Sequence, residues 1–560
     1  MKINRLLTAL LIVSFAAAAY AAPVPNIGDA LKQVEPPQDI PKKQSPLPEL
    51  KENLRPQMKM TDQRTMLVKG FTVSGNKAIS TEVLTDIANK PENINRELTL
   101  AEINAVAEEL TKYYRDNGFF VAKAYVPKQE IIDGIIEIVI LEGEYGSVNV
   151  DNKSLVSSKR INGIIGKMTE GKTIKAEDVE RQMILVNKTP GANLNKINIK
   201  PGDEFGTSSF DISVIATPRV YGYLIGDNYG LRYTGTNRVM AGAGINSPLG
   251  IGDRLFISGI TSTTGGLVNG RAAYKLPLAS NGLTGEISYS KTAYSLEEEY
   301  DSLDAKGDSD TIEMEFSYPL LLSKFESAYA TLAFTSRQMK DEIELFDSVD
   351  EKDTLSAKAG ISYKKTYSMF GFRTTSEAKG SYTIGTLSFD NSEAEDLDAI
   401  GADTQGTYHI LAASAKQKVD FNRQWSLSTS FQAQQVLNDK NLDGSEDLSI
   451  GGAYGVRVFP SSEQSAENGY ILNAELFYRL PDVNKLVTMV SVFGDTAYVK
   501  PQDDFSDEGG RSLSDVGAGF YAYYKTFFMK SYFAYAVGGA KVESEPEYNS
   551  RLLVQAGMTF

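Results

Sequence analysis

Apolar and polar residues alternate with a period of two through most of the chain from residue 218 to its end. Each alternating segment is about ten residues long, as in transmembrane barrel strands, and a turn or an acidic loop follows it. The pattern predicts sixteen strands, near residues 219–228, 237–246, 253–262, 267–277, 283–293, 310–320, 326–338, 353–364, 371–386, 407–420, 424–436, 469–480, 485–497, 512–524, 527–540 and 551–560. An even number closes an antiparallel sheet without an unpaired edge, so we expect a mainly β chain with a transmembrane antiparallel β-barrel over 218–560.

The last predicted strand shows the two faces of such a barrel most clearly. Its apolar row is Leu552, Val554, Ala556, Met558 and Phe560, and residues of mixed polarity lie between them. One row suits lipid and the other a wet lumen. A large soluble β-protein has the same period, so the pattern alone leaves that alternative open.

Loop composition predicts which way the barrel faces. Long, acid-rich connections alternate along the chain with short ones. The long ones are residues 297–310, 341–353, 392–403, 503–508 and 543–547, and the short ones include 247–252, 278–282, 322–324 and 481–484. Bacterial barrels have long loops outside the cell and short turns in the periplasm. The loop at 451–468 therefore begins on the cell-surface side, from which it can fold back into the lumen.

Residues 63–217 have a different texture, in which helical and strand periods alternate. Two units of the order strand, helix, helix, strand, strand are predicted, at 63–144 and at 145–217. In the first unit, Thr99 and Glu102 have the spacing of a capping box that opens the second helix. Sheets of this size have an open strand edge, which suits main-chain pairing with an extended client. The alternative is that both units are only spacers.

The first 22 residues are typical of a secretory signal peptide. A charged start is followed by an apolar run over Leu6–Ala18 and by the small residues of a cleavage site at Ala19-Tyr20-Ala21. The apolar run is too short for a membrane anchor, so the mature chain is expected to leave the cytoplasm.

Residues 23–35 predict a short amphipathic helix, with Ile27, Ala30, Leu31 and Val34 on one face. Residues 36–62 are rich in proline and charge and predict an extended linker. A helix of this length is not stable alone, so it needs a place to dock. A disordered N-terminus is the alternative.

The amino-acid composition excludes most kinds of catalytic and metal-binding site. The chain has no cysteine and one histidine, which excludes disulfides, thiol catalysis and most metal centres. A formal net charge of −15 argues against general binding to nucleic acid. Residues 439–444 imitate the start of a calcium-binding loop, but Ile450 stands where that loop needs a glutamate. We therefore predict no enzyme, no metal site and no cofactor.

One arginine, Arg457, lies in the polar, small-residue loop at 451–468. If that loop folds inward, the charge needs a partner, because an unpaired charge is costly away from water. Asp495, in the strand predicted at 485–497, is the partner we expect. A solvated arginine is the alternative, and spacing alone does not decide between the two.

The segment around Arg457 resembles the inward-folded loop of the Omp85 superfamily, most closely that of the TpsB transporters of two-partner secretion. The family has Val-Arg-Gly-Phe or Val-Arg-Ala-Tyr-Pro, so a valine here replaces the small residue after the arginine. The matching residues are Gly455, Val456, Arg457, Val458 and Phe459. Upstream, the stretch NLDGSEDLSIGG is similar to the family's NLDSSEKFSLGG.

A second family motif, Phe-x-Asp-x-Gly, is similar to the strand residues Phe493 and Asp495, with Ala497 in place of the final glycine. The resemblance implies that Arg457 and Asp495 form a bidentate ion pair that holds the loop at mid-lumen. Resemblance also extends to the ends of the barrel, since a terminal Phe560 is similar to the signal by which outer-membrane barrels are recognised for insertion.

The first α/β unit resembles a POTRA domain, with Phe71, Gly75 and Asn76 in the opening strand and turn and 138–143 in the closing strand. Two such domains are the number found in TpsB transporters, whereas insertases of the BamA type have five. In TpsB relatives an N-terminal helix sits inside the barrel as a plug, and residues 28–31 look like a weaker form of it.

The resemblance implies an outer-membrane transporter of a Gram-negative bacterium with its POTRA domains in the periplasm. It would bind the amino-terminal secretion domain of one large unfolded exoprotein, an adhesin or a cytolysin, and pass it through the barrel without ATP. Further expected contacts are outer-membrane lipid and lipopolysaccharide and, during biogenesis, the barrel-assembly machinery; a monomer is expected. The alternatives are a barrel-assembly factor of the same superfamily and a passive porin-like channel.

Overall fold

A computed structural model describes residues 24–34, 64–503 and 509–560 of the chain. The predicted signal peptide at 1–22, the predicted linker at 36–62 and residues 504–508 of one predicted acidic loop lie outside the described residues. The first described element is helix α1 (Ile27–Gln33). Its N-cap is Asn26, whose side chain accepts a hydrogen bond from the backbone of Gly28, and Asp29 completes the capping box.

Residues 64–143 form a small α/β domain. In chain order its elements are β1 (Thr65–Val68), β2 (Gly70–Ser74), α2 (Thr81–Ala88), β3 (Arg96–Thr99), α3 (Leu100–Asp116), β4 (Lys123–Tyr125) and β5 (Ile135–Leu141). The sheet order is β2-β5-β4, with β2 parallel and β4 antiparallel to β5, and β1 and β3 form a separate pair. The expected capping box is present, since Thr99 and Glu102 bond each other's backbone. Alternate residues of β5 enter the core with the apolar faces of both helices.

The next residues repeat this topology. The elements are β6 (Glu144–Lys153), α4 (Ser158–Ile165), α5 (Ala176–Lys188), β7 (Ala192–Pro201) and β8 (Thr207–Ala216). Their sheet order is β6-β8-β7, with β6 parallel and β7 antiparallel to β8, as in the first domain. Phe210 is fully buried at the centre of a core that both helices contribute to.

The remainder of the chain is a closed barrel of sixteen antiparallel strands, which confirms the predicted fold class. The strands are β9 (Val220–Asp227), β10 (Arg238–Asn246), β11 (Arg254–Ser262), β12 (Leu267–Pro277), β13 (Thr284–Ser295), β14 (Ala305–Leu322), β15 (Glu326–Ile343), β16 (Ser348–Met369), β17 (Phe372–Phe389), β18 (Gly406–Asp420), β19 (Trp425–Val436), the loop strands β20 (Leu448–Ser449) and β21 (Ser465–Ala466), β22 (Asn468–Arg479), β23 (Leu486–Lys500), β24 (Arg511–Tyr524), β25 (Phe527–Ala536) and β26 (Ser550–Thr559). All except the pair β20 and β21 belong to the barrel, which β26 closes against β9.

Side chains alternate between the lumen and the outer surface as the sequence predicted. In β26, Leu553 and Gln555 are buried, whereas Leu552 is 55% exposed on the outer face. Apolar side chains on the outer face need no partner in lipid, and polar ones on the inner face find hydrogen bonds in the lumen. None of the helices in the described ranges is long and apolar enough to cross a membrane.

The predicted long loops on one side of the barrel are wrong in part. Strands β14, β15 and β16 are 18, 18 and 22 residues long and include parts of two acidic segments predicted as loops, 297–310 and 341–353. Short 3-10 helices at Glu298–Leu303 and Glu344–Phe346 make the turns, and α6 (Ser392–Ile400) occupies the third predicted loop. The acidic residues remain in strands because lysines pair with them across the ladder, as in Lys340–Glu351 at 3.4 Å.

The second α/β domain contacts the short turns at the other end of the barrel. Ser157 N donates to Gly250 O at 2.8 Å, Arg160 Nη2 to Ala279 O at 2.8 Å, and Lys324 N to Glu180 Oε2 at 3.3 Å. Three consecutive short turns therefore face the N-terminal domains. This arrangement agrees with the predicted orientation, in which short turns and N-terminal domains share the periplasmic side.

A buried carboxylate, Glu142, fastens the turn after β2 in the first domain. Its Oε1 accepts from Lys77 N at 2.6 Å, Ala78 N at 2.7 Å and Tyr114 Oη at 2.9 Å. Burial is the main cause that raises the pKa of Tyr114, and the hydrogen bond to Glu142 is the second. The hydroxyl therefore remains a donor well into the alkaline range.

Replacing Glu142 by alanine is expected to destabilise this domain by about 3 kcal/mol, because the buried hydroxyl of Tyr114 and two backbone N–H groups lose their acceptor. Limited proteolysis of the full chain in detergent should then cleave within 64–143 at lower protease concentrations. Glu144→Ala is the control, since Glu144 forms only an exposed ion pair with Lys77. Equal protease resistance of the Glu142 and Glu144 variants would contradict the assignment.

Candidate functional site in the barrel lumen

The connection between β19 and β22, residues 437–467, folds into the barrel and is called the inward loop below. Its apolar residues Ile450, Val456, Val458 and Phe459 have no exposed surface. They pack against lumen-facing side chains of the last strands, among them Leu513 and Ala534. The inward loop thus has a small hydrophobic core of its own against one side of the wall.

Arg457 projects from this loop towards two carboxylates of the wall. Its Nη2 donates to Glu475 Oε2 at 2.8 Å, and its Nε lies 3.2 Å from Asp495 Oδ2. Its Cζ lies 3.9 Å from the centre of the Phe493 ring and 4.7 Å from that of Tyr532. Instead of the expected bidentate grip on Asp495, the guanidinium bridges two acids and stacks on aromatic rings, all of which a planar cation can do at once.

Strand register explains why these groups meet. Asp495 lies directly opposite Asn473 on one neighbouring strand and opposite Asp515 on the other. Phe493 lies opposite Glu475. Since residues two apart share a face, both residues of the predicted strand motif face the lumen and contact the same guanidinium.

A second shell of hydrogen bonds fixes the acids and the loop together. Asn473 Nδ2 donates to both Asp495 Oδ1 and Gly455 O at 2.9 Å. Asp515 Oδ2 accepts from Val458 N at 2.7 Å, so the wall also holds the loop backbone. Glu475 Oε1 accepts from Ser491 Oγ at 2.6 Å and from the hydroxyl of Tyr521.

The motif residues beside Arg457 have packing roles. A Cβ at Gly455 would lie 2.4 Å from Ile450 O and 2.5 Å from Gly451 O, so only glycine permits the tight turn of the loop. Val458, the departure from the family pattern, is fully buried with Phe459 in the loop core. The extra methyl groups therefore fill space between loop and wall.

The tip of the inward loop is held at a separate point. Glu463 is buried and accepts from Arg511 Nη2 at 2.6 Å, from Glu543 N at 2.9 Å and from Ser544 Oγ at 2.8 Å. These donors lie on β24 and on the connection between β25 and β26. Arg457 and Glu463 are therefore two of the ionic contacts that fix the loop to the wall, and the pairs Asp443–Lys352 and Glu446–Arg337 lie nearer its start.

Helix α1 also lies in the lumen. Ile27 and Ala30 are buried among lumen aromatic residues that include Tyr294. Ile27 N donates to Asp341 Oδ1 at 2.8 Å, and Tyr294 Oη donates to the same oxygen at 2.6 Å. Leu31 and Val34, placed on the apolar face by the sequence, are only partly buried. The helix is therefore seated by polar contacts at its ends as much as by its apolar face.

The helix rests directly on the inward loop. A Cβ at Gly28 would lie 2.8 Å from Gly444 C and from Ser445 N, so a larger residue would lift the helix off the loop. Between helix, loop and the opposite wall a cavity of about 710 Å³ remains, lined among others by Lys32, Asp447 and Lys358.

The remaining predicted site residues lie outside the lumen. Phe71 is buried in the core of the first domain, and its backbone N and O bond the side chain of Asn89 at 2.7 and 3.0 Å. Gly75 has φ +79° in the turn after β2, and Asn76 Nδ2 bonds Ile79 O at 2.8 Å. Phe560 pairs with Gly222 through two backbone hydrogen bonds of 3.0 Å, and its ring is exposed on the outer face.

Several residues of the lumen site had no individual sequence signal. Glu475 lies in the strand predicted at 469–480, but nothing in its spacing marks it as a second partner for Arg457. Asp515, Tyr521 and Tyr532 lie on later strands, and only the pairing of strands brings them to the site. Within the described ranges, no group of three or more His, Asp or Glu side chains has the arrangement of a metal site.

A closed sixteen-strand barrel, entered by its own inward loop and preceded by two α/β domains whose three-stranded sheets have the same order, defines an outer-membrane protein transporter of the Omp85 type. Residues 206–517 match the family model described as haemolysin secretion/activation protein ShlB/FhaC/HecB, and residues 66–143 match the ShlB-type POTRA domain. The chain therefore belongs to the ShlB/FhaC/HecB family, the transporters of two-partner secretion.

Individual relatives agree with this assignment. The heme/hemopexin transporter protein HuxB of Haemophilus influenzae is 24% identical over 446 residues, which cover 78% of each chain. The solved structure of CdiB from Escherichia coli superposes with a TM-score of 0.74 at 20% identity and covers 95% of both chains. BamA from Haemophilus ducreyi lacking POTRA domains 1–3 gives 0.53 at 13% identity, covering 88% of this chain and all of that one. At these identities the two structures show a shared fold.

The family membership confirms the predicted location and the predicted general function. The protein is an outer-membrane β-barrel transporter with periplasmic POTRA structure, and its partner is a secreted exoprotein.

Proposed function

We propose that the protein captures the amino-terminal secretion domain of one large unfolded exoprotein with its two N-terminal domains and passes that exoprotein through the barrel without ATP. The observation that carries this proposal is that the lumen contains two segments of the chain that are not barrel strands, α1 and the inward loop. Neither segment is part of the wall, and each is held by a few polar contacts at defined points.

Such contacts suit a gate. With both segments in place, a cavity of about 710 Å³ remains in the lumen beside α1 and the loop. A passing polypeptide therefore requires α1, the loop or both to move. Ion pairs in a partly wet lumen are strong enough to hold a resting state and can be exchanged for contacts with water or client.

The second α/β domain places the client at the entrance. Its helices α4 and α5 contact three turns at the periplasmic end of the barrel, so an extended segment bound to its sheet would start beside the lumen. Folding of the exoprotein outside the cell would bias the direction of transport. The sequence has no cysteine and one histidine, and we propose that the protein acts without a cofactor and without catalysis of its own.

Two further contacts complete the proposal. The exposed ring of Phe560 at the end of β26 is available to the barrel-assembly machinery and afterwards lies against outer-membrane lipid or lipopolysaccharide. The closed barrel leaves no strand edge for pairing with a second copy, so we propose that the transporter works as a monomer.

Deleting the gene from its host should remove one large protein from the culture medium and leave the other outer-membrane barrels at normal abundance, as measured by proteomics of both fractions. The intact chain should restore secretion, and a chain lacking 64–216 should insert without restoring it. Loss of many barrels would instead favour the assembly factor. Secretion by the truncated chain, with ion conductance unchanged, would favour the passive channel.

A further inference from the structure

The barrel closes through its shortest ladder, the junction of the first and last strands β9 and β26, called the seam below. Five residue pairs join these strands, from Gln555 opposite Asp227 to Thr559 opposite Tyr223. By comparison, eighteen pairs join β15 and β16. With so few main-chain bonds, side chains near the seam contribute a large share of what keeps it closed.

One side chain extends the seam beyond the last residue of β9. Asn228 Nδ2 donates to Leu552 O at 2.8 Å, and Asn228 Oδ1 accepts from Val554 N at 2.7 Å. Its own backbone N donates to Val554 O at 3.2 Å. The side-chain amide of Asn228 thus makes the hydrogen bonds to β26 that the backbone of another β9 residue would make. Its position depends on Asp227, the last residue of β9.

Asp227, the residue before it, ties the seam to the next strand. Arg238 on β10 and Gln555 on β26 both lie directly opposite Asp227 in the ladders. Arg238 Nε and Nη2 donate to the two carboxylate oxygens at 2.9 and 3.3 Å, and Gln555 Nε2 donates to Oδ2 at 3.3 Å. All three side chains are buried in the lumen, so a low local dielectric strengthens these bonds.

The same arginine holds the end of the plug helix. Arg238 Nη1 donates to Gln33 O, the last residue of α1, at 2.7 Å. Gln33 is also buried, and its Oε1 accepts from Leu231 N at 3.2 Å and Thr234 Oγ1 at 3.0 Å, both in the connection between β9 and β10. One guanidinium therefore bonds both the helix and the carboxylate at the seam.

We propose that Arg238 couples the docking of α1 to the closure of the seam, an inference that rests on the proposed function because it requires α1 to leave during transport. When α1 leaves, Arg238 loses one acceptor and the Arg238–Asp227 pair becomes open to lumen water. Water weakens that pair, Asp227 is held less firmly, and its bond to Gln555 across the seam weakens with it. By linkage, a seam that cannot loosen must also hold α1 more tightly.

The coupling has a use in transport. The barrel wall would be firm while the plug is in place and more compliant only while a client occupies the lumen. Arg238 is thus a positioning residue that acts through the helix and the seam and makes no contact with the client.

The test uses the full-length chain in planar lipid bilayers, where channel opening reports the exit of α1. Gly226 and Ala556 are directly opposite each other across the seam, and a side chain at Gly226 meets only Arg238 O, at 3.8 Å. Because the natural chain has no cysteine, Gly226→Cys with Ala556→Cys gives a single disulfide. We expect its oxidation to lower the open probability about tenfold and reduction to restore it.

Three comparisons make the result specific. The pair Gly226→Cys and Val239→Cys links β9 to β10 instead, because these two residues lie opposite each other in that ladder, which is not part of the seam. Its oxidation should have little effect on the open probability. A chain lacking 24–34 should conduct equally in both redox states of the seam pair. In an Arg238→Gln background, seam oxidation should change the open probability by less than about twofold. Asp227→Asn, which removes the negative charge and replaces one acceptor oxygen by a donor, should give the same loss if Arg238→Gln fails to assemble.

The proposal is overturned if the seam disulfide leaves the open probability of the natural background unchanged, if the β9–β10 disulfide has the same effect, or if the effect persists in both the Arg238→Gln and the Asp227→Asn backgrounds. None of these outcomes bears on whether the protein exports an exoprotein, which gene deletion tests separately.

Discussion

Export of the exoprotein is expected to fall at least about tenfold when Arg457 is replaced by alanine, while the barrel still assembles. Removing the guanidinium leaves Glu475 and Asp495 buried side by side without a counter-charge. Breaking a buried ionic contact in this way typically costs about 3–5 kcal/mol. The inward loop then loses its mid-point contact, whereas no barrel ladder depends on Arg457, so assembly should proceed.

Two variants separate charge from geometry. Arg457→Lys keeps the charge but cannot bridge two carboxylates and stack on Phe493 at once, so export should be intermediate. Arg479→Ala is the matched control, because Arg479 has the same charge but forms an exposed pair with Asp482 at a periplasmic turn. Immunoblots of the medium measure export, and the heat-dependent gel mobility of the barrel measures assembly. Normal export by Arg457→Ala would refute the gating role of this residue.

The acids can be tested against the arginine by a double-mutant cycle. Glu475→Gln alone should weaken the hold on the loop less than Arg457→Ala, because Asp495 still faces the guanidinium. In combination, the two changes should cost less than their sum, since neutralising Glu475 relieves part of the unpaired charge that the arginine leaves behind. Additive losses would indicate that Arg457 and Glu475 act independently.

The sequence predicted the barrel well because lipid and lumen impose a period of two on every strand. It misplaced the ends of β14, β15 and β16, because runs of acidic residues were taken as solvated loops. Lys340 and Lys352 lie on these strands, where they face acids of the neighbouring strand or of the inward loop. Charge balance of this kind depends on which strands are neighbours, and composition along the chain does not reveal it.

The lumen site was predictable only where a motif marked it. Arg457 and Asp495 were expected together, and the structure places them 3.2 Å apart. Glu475 and Asp515 were not expected, because their approach depends on cross-strand register over three strands. The alternation of polar and apolar residues shows that Glu475 and Asp515 both face the lumen. It does not show at which level along the barrel axis each of them lies.

Helix α1 illustrates a third limit. Its apolar face was predicted from helical periodicity, which assumes that one side is buried and the other wet. Inside the barrel the helix meets wall, loop and cavity on different sides, so the polar Gln33 is buried and Leu31 is only partly so. The N-cap residue Asn26 and Gly28, which contacts the inward loop, therefore indicate where α1 docks more clearly than its hydrophobic residues do.

A disulfide between α1 and the inward loop is expected to stop export, which reducing agent should restore. A Cβ at Gly444 would lie 3.8 Å from Asn26 Oδ1 with no closer contact, so Asn26→Cys and Gly444→Cys lie within reach of a disulfide. The natural chain has no cysteine to compete for this bond. If the exoprotein must pass through space that α1 occupies, the oxidised variant should export at least about tenfold less, since a covalent link cannot be exchanged for contacts with the client.

The reduced form provides a sharp internal comparison. Asn26 caps α1, and losing a cap typically costs about 1 kcal/mol, so reduced α1 should leave the lumen more readily than natural α1. The reduced form of the double variant, and the single variant Asn26→Cys, should therefore export as well as the natural chain. Both should also show more frequent channel openings in lipid bilayers. Undiminished export by the fully oxidised variant, with the disulfide verified by mass spectrometry, would mean that the exoprotein passes beside a docked helix and that the inward loop alone controls the path.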